Sequence, residues 1–324
     1  MRAADLSTPP PISATVVVPC FNYGRFVRAA VDSALRQVDA DVNVVVVNDG
    51  STDGVTARLC DRCAGPRVRV IHQDNSGPPA ARNRGAADAT SEFLVFLDAD
   101  DWIEPEFVSK LGRAMRTEGG EDVSHAYCQQ RMVERTGSSV WAVPDWDPLM
   151  MMVANQHAVT TLVRRDRFQA VGGFSESMRE GYEDWDLWLK FVERGWRGIR
   201  VAEPLFVYRR HSPNTHNRQA IAIHEALYRR IVQSHAALYS RHSEELIGNM
   251  NLLLRRHNMN WLDESGEPIN LLALKRQRDM YESMAAVKAH HAFHRLIEVL
   301  PRPLSAAARK TLGAIKRAIP PSKR

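Results

Sequence analysis

The sequence predicts an α/β fold: a mixed, mainly parallel sheet flanked by helices, with a helical extension at the C-terminal side. Three observations lead there. Through the first hundred residues, short β-branched apolar runs alternate with helix-length segments, the pattern that encodes parallel strands joined by right-handed crossovers. The runs are nearly continuous in apolar character, as strands covered on both faces are. Beyond about Arg218 the chain turns polar and helical.

The elements follow in order. Residues 1–13 are polar and Pro-rich, read as a flexible N-terminus without the apolar stretch of a signal peptide. Thr15–Pro19, Val42–Asn48, Arg67–His72 and Glu92–Asp98 read as four strands, with helices over Arg25–Gln37, Asp53–Arg62 and Pro79–Ala89 between them. Further strands are expected near Val123–Gln129, His157–Val163 and Leu205–Tyr208, and a helix over Glu183–Arg194. Two long helices are expected between Gln219 and Met259, then a Gly/Pro break at Ser265–Pro268 before the last helices. The domains expected are therefore 14–215 for the sheet domain and 216–324 for the helical extension with a basic tail.

Ligands of parallel sheets sit beyond the carboxyl ends of the strands. Those ends read Pro19-Cys20-Phe21-Asn22, Asn48-Asp49-Gly50-Ser51, Gln73-Asp74-Asn75-Ser76-Gly77 and Asp98-Ala99-Asp100-Asp101. Each alone suits a cap or a turn. Together they would put acids along one edge of one sheet.

Charge and cysteine content narrow the class. Of 43 Lys and Arg, seven lie between Pro301 and Arg324 with no acid among them, leaving 36 against 38 acids elsewhere. The basicity belongs to the tail, so a nucleic-acid-binding catalytic domain is not indicated. Four cysteines, two in Cys60-Asp61-Arg62-Cys63, fit a reducing compartment and a cytoplasmic location; a zinc site would need a second pair. No apolar run approaches the roughly 20 residues of a membrane span.

Asp98 and Asp100 stand two apart at a strand end, where alternation would turn both toward one site. Two hard oxygen ligands suit Mg²⁺ or Mn²⁺ bridging a diphosphate; a helix cap is the other reading. In Glu183–Lys190, Trp185, Trp188, Leu189 and Val192 repeat with helical period, so core packing is the default for the tryptophans. Acids in that first turn suit the helix dipole, which would keep a carboxylate ionised near neutrality. Gly172-Gly173-Phe174 permits close approach of backbone to a ligand.

These segments resemble glycosyltransferase family 2, inverting enzymes of the GT-A fold. The resemblance rests on VVVPCFN at Val16–Asn22, VVNDGSTDG at Val46–Gly54, NSGPPAARNRG at Asn75–Gly85, FLVFLDADDW at Phe93–Trp102, VGGF at Val171–Phe174 and GYEDWDLWLK at Gly181–Lys190. The ordered set covers roughly residues 14–212. It implies that Pro19, Phe21 and Asn22 line a nucleotide site, that Asp49 bonds the base, and that Arg82 lies near the nucleotide. It implies Asp100 as metal ligand, Asp98 shared between metal and ribose, His211 as a further metal or diphosphate contact, and Asp184 as catalytic base. Gly173, Glu183 and Trp185 would adjoin the donor or acceptor sugar, with Met150–Met152, Asn155 and His157 near the acceptor.

The implied cofactor is Mn²⁺ or Mg²⁺, and the implied partners are a nucleotide-diphosphate sugar, a UDP-sugar first, and a carbohydrate or lipid-linked acceptor. The Gln-x-x-Arg-Trp segment of processive polysaccharide synthases is absent. Leu304, Ala308, Leu312, Ile315 and Ile319 form one helical stripe opposite Arg309, Lys310, Lys316 and Arg317. Such a helix suits either peripheral contact at the inner face of the cytoplasmic membrane or docking on its own domain. Two rival functions remain: a non-catalytic nucleotide-sugar-binding protein of the same fold, and a sugar-phosphate nucleotidyltransferase. The second would need a Gly-rich, Arg-containing loop after the first strand, which Phe21–Arg25 matches poorly.

Overall fold

The structure, a computed structural model, describes residues 11–134, 137–210 and 223–248. His211 and the stripe within 301–324 lie outside the described residues. The chain divides into two compact units, Met1–Leu238 and Tyr239–Arg324, and the sheet belongs to the first.

Strands β1 (Ile12–Cys20), β2 (Ala40–Asp49), β3 (Val68–Gln73) and β4 (Phe93–Phe96) form the expected parallel half, in the order β3-β2-β1-β4. Val16, Val17 and Val18 are all buried, so β1 is covered on both faces, as its unbroken apolar run requires. Helix α1 (Gly24–Leu35) buries Val27, Ala30, Val31 and Ala34, a stripe at helical spacing. The Thr56 amide donates to Asp53 Oδ1 (2.9 Å), which organises the start of α2 (Thr56–Asp61). Pro78 and Pro79 open α3 (Pro78–Ala86), where a missing N–H costs nothing. Strand order reverses beside β1, so the crevice beyond the carboxyl ends of β1 and β4 is where this topology receives ligands.

The other half is mixed. Strand β4 pairs antiparallel with β8 (Leu162–Arg164), and the order continues through β6 (Val123–Glu134) and β9 (Arg197–Arg209) to β5 (Trp102–Ile103). Strand β7 (Gly137–Trp141) adds a hairpin to β6. The helices of this half are α4 (Phe107–Thr117), α5 (Pro148–Val153), α6 (Arg165–Ala170), α7 (Glu183–Glu193) and α8 (His224–Ser234), with a 3₁₀ turn over Glu176–Met178.

Two strand expectations need correction. The strand expected over His157–Val163 shrinks to Leu162–Arg164, because His157 turns into the core and its Nε2 meets His125 Nε2 at 3.1 Å. The strand expected at Leu205–Tyr208 is the end of the 13-residue β9, whose first half carries Arg197, Arg200 and Glu203 and so lacks an apolar signature. Of the helices expected between Gln219 and Met259, the described residues include α8 and the short α9 (Ala236–Arg241), and residues 243–248 are helical as well. The sheet-bearing unit includes α8, which packs on α7: Tyr228 stacks on Trp185 with ring centroids 5.3 Å apart.

Helix α3 crosses β1 so closely that a Cβ on Gly85 would stand 2.3 Å from Val17 Cγ1. Gly85→Ala should destabilise the domain by about 1–3 kcal/mol through overpacking, read as a lower unfolding midpoint in thermal or urea denaturation.

Candidate active site

The loops beyond β1, β2 and β3 are tied together by their own side chains. Asn22, at positive φ (58°), accepts on Oδ1 from the amides of Thr52 (2.8 Å) and Asp53 (3.2 Å). It thereby joins the β1 and β2 loops, while Pro19, next to last in β1, is partly exposed and Phe21 projects outward, 42% exposed. Asp49 is buried, and its carboxylate accepts from Gln73 Nε2 (2.7 Å), Ser76 N (2.9 Å) and Gly77 N (2.8 Å). Those three bonds shape the β3–α3 loop, so Asp49 holds that backbone in place.

The acidic segment after β4 is a turn. Regular strand stops at Phe96, and Asp101 N donates to the Asp98 carbonyl at 3.1 Å. The strand alternation expected to align Asp98 with Asp100 therefore does not operate; the turn sets their directions instead. Asp101 anchors this turn. Its buried Oδ1 accepts from Arg209 N (2.8 Å), and Arg209 Nε donates to the Asp100 carbonyl (2.8 Å). Arg209 also lies over the rings of Trp102 and Phe26. Burial, with the charges of Asp100 and Asp98, pushes the Asp101 carboxyl well above its ordinary range.

Arg82 joins this turn to the first turn of α7. It is 4% exposed; Nη2 bonds Asp98 Oδ1 at 2.7 Å and Nη1 bonds Glu183 Oε1 at 2.5 Å. Burial works against the guanidinium charge, but Asp98 and Glu183 outweigh it and raise the pKa further. The side chain of Asp98 keeps 39% of its surface exposed, so one flank of that carboxylate still faces outward.

Beside Glu183, Asp184 accepts on Oδ1 from Trp185 N (2.7 Å) and on Oδ2 from Asn155 Nδ2 (3.0 Å). Burial first, and then the Glu183 charge, pushes its carboxyl up to about 7, against the opposing effects of the Trp185 amide, Arg82 and Asn155. The helix dipole does not keep this group low, as the sequence suggested. Tyr182 immediately before α7 adopts a left-handed backbone (φ 64°).

Other expected site residues are spent on structure. Trp185 is buried, its indole N–H donating to the Met151 carbonyl at 2.6 Å, which leaves it in the core rather than open to a sugar. Glu183 is engaged by Arg82. Gly173 has φ 70°, and a Cβ there would stand 2.7 Å from Asn83 Oδ1, so packing against α3 and α6 demands the glycine. Asp186 accepts from Ser175 Oγ (2.6 Å), meets His235 Nε2 at 3.2 Å and pairs with Lys190 at 3.1 Å. That cluster fastens α7 to the turn after α8.

Among the described residues no three His, Cys, Asp or Glu side chains converge as a ready-made metal cage. All four cysteines are free and buried. No described helix is long and apolar enough to cross a membrane.

Comparison with known proteins adds a family to this geometry. Residues 15–161 match the sequence model of glycosyl transferase family 2, a stretch that includes Asp49, Arg82, Asp98 and Asp100 and stops before α7. Glycosyltransferase GlyA of Streptococcus pneumoniae is 38% identical over 99 residues, covering 30% of this chain and 14% of that protein. Chondroitin synthase of Pasteurella multocida is 28% identical over 189 residues, covering 56% of this chain and 19% of that protein. The chain thus spans less than a fifth of the length of either relative. The structure of S. aureus TarS 1-349 in complex with UDP-GlcNAc superposes with a TM-score of 0.53 at 19% identity, covering 64% of this chain and 61% of that one, a likeness of fold. With the motifs in order on a sheet of this topology, residues 15–161 are similar to glycosyl transferase family 2, and the chain has the GT-A fold.

Proposed function

We propose that this protein is an inverting glycosyltransferase that moves the sugar of a nucleotide-diphosphate donor, a UDP-sugar first, onto an acceptor hydroxyl in glycan or glycolipid biosynthesis. One observation carries the reading: buried Arg82 ties the acidic turn after β4 to the helix end that presents Asp184, although these segments lie far apart in sequence. A carboxylate acid–base group then stands beside the acids that suit a diphosphate and its cation. The UDP-GlcNAc bound by TarS supports a donor of that class.

The acidic turn fits a divalent ion by its donor chemistry. Asp98 and Asp100 are hard oxygen ligands, both partly exposed, and too few to enclose an ion without a diphosphate completing its shell. Mn²⁺ or Mg²⁺ held there by Asp100, with Asp98, would offset charge developing on the departing diphosphate. Pro19, Phe21 and Asn22 would line the nucleotide site, whose loops Asp49 and Asn22 hold in shape. Arg82 steadies Asp98.

Asp184 takes the proton of the acceptor hydroxyl as that oxygen forms its bond to the anomeric carbon. The bond from that carbon to the diphosphate breaks on the opposite face, and the nucleoside diphosphate leaves with the electron pair. A base must be ionised to act, so a carboxyl at about 7 places the acid limb of the rate near neutral pH. A lipid-linked acceptor, and contact of the basic stretch 301–324 with the inner face of the cytoplasmic membrane, complete the proposal.

Three outcomes test it. Asp184→Asn should lower transfer by roughly 10²-fold or more while Mn²⁺-dependent UDP binding by calorimetry survives; wild-type kcat should fall as pH drops through about 7. Full turnover by Asp184→Asn would remove the base assignment. Asp100→Ala should weaken UDP binding in Mn²⁺ far more than in chelator, and equal losses in both would remove the metal role. Co-sedimentation with anionic vesicles should fall on deleting 301–324, and unchanged binding would rule out the membrane contact.

A further inference from the structure

The loop between α5 and β8 sets Asn155 against the first turn of α7. Its Nδ2 donates to Asp184 Oδ2 at 3.0 Å, while Trp185 N donates to Oδ1 at 2.7 Å. The two donors come from separate segments and occupy both oxygens, which restrains rotation of the carboxylate. The other half of the amide is left unmatched: Asn155 Oδ1 is buried and accepts no hydrogen bond among the described residues. A buried carbonyl without a donor destabilises the fold. A residue present only for packing would satisfy both ends or be apolar.

The neighbours of Asn155 hold it there. Gln156 is buried and closes a two-way bond with the Asp147 backbone, Nε2 to O at 2.7 Å and N to Oε1 at 3.3 Å, and Asp147 caps α5. His157 is buried between Tyr127 and Trp188, 4.2 and 4.7 Å between ring centroids, with its Nε2 3.1 Å from His125 Nε2. Burial pushes His157 down to about 3, so it stays neutral and leaves no charge behind the site. On the other side, the indole of Trp185 bonds the Met151 carbonyl and ties α5 to α7. Asn155 is thus delivered to Asp184 by segments rigid on both flanks.

We propose that Asn155 is the positioning residue for Asp184, fixing the carboxylate in the orientation from which it receives the acceptor's proton. The inference rests on the reading of Asp184 as base. Around that carboxylate, Glu183 opposes ionisation, while Arg82, the Trp185 amide and the Asn155 amide favour it, and Tyr182 is a neighbouring neutral phenol. Removing the Asn155 donor leaves Glu183 less opposed, so the acid limb should move to higher pH.

The test uses Asn155→Ala and the near-isosteric Asn155→Leu in the full chain. Asp184 is titrated by carboxyl ¹³C NMR, which needs no substrate, and kcat is measured with the donor selected from a nucleotide-sugar panel by thermal shift. Both variants should raise the Asp184 midpoint and lower kcat tenfold or more, with Mn²⁺–UDP affinity within twofold of wild type. Asn155→Leu should keep or raise Tm, because it also removes the unmatched carbonyl. An unmoved Asp184 titration, or a lower Tm in Asn155→Leu with unchanged kcat in the folded fraction, would overturn the proposal. A fully active Asp184→Asn would instead remove the base reading itself, so the two failures are distinguishable.

Discussion

The buried guanidinium of Arg82 is the constraint on which the site depends. A charge removed from water is costly unless paired, and removing one partner of a buried pair typically costs about 3–5 kcal/mol. Arg82 meets that requirement with Asp98 on one side and Glu183 on the other, so α3, the acidic turn and the first turn of α7 are fixed relative to one another. Glu183 is consumed in that task. Its neighbour Asp184 has separate donors in Trp185 N and Asn155 Nδ2, and Asp98 is left with one flank outward.

The same packing decides the ionisation of Asp184. A helix N-terminus favours a carboxylate by about 0.3–1 kcal/mol, less than the roughly 1.4 kcal/mol that shifts a pKa by one unit. Desolvation and the adjacent Glu183 charge outweigh it, and the group rises to about 7. An acid–base group near neutrality is what proton transfer at physiological pH uses best. The position of Asp184 one residue after Glu183 thus does two things: it gains Arg82 as a near cation and Glu183 as a near anion, and the balance sets its proton affinity.

A second tier of residues supports these. Asp101 and Arg209 hold the acidic turn to β9, and Asp186 with His235 and Lys190 holds α7 to the turn after α8. Both aspartates sit within acid-rich motifs, Asp98–Asp101 and Glu183–Asp186, whose members look interchangeable as written. Burial separates them. Asp98, Asp100 and Asp184 keep part of their surface exposed, while Asp101 and Asp186 are enclosed and satisfied by internal donors.

Local pattern alone determined the parallel half of the sheet. Unbroken β-branched runs and helix-length intervals have few alternatives, and the strand ends that carry Asn22, Asp49 and Asp98 follow from that topology. The ordered motifs likewise carried the resemblance to glycosyl transferase family 2. Tertiary structure decided which acids are engaged and which are exposed, that Trp185 belongs to the core, and that Arg82 bridges two distant motifs. It also brought Asn155 onto Asp184, a contact with no signature in either segment. The reason is physical: periodicity records which face of an element is buried, whereas a carboxylate's partners and proton affinity depend on groups that only the folded chain brings within a few ångströms.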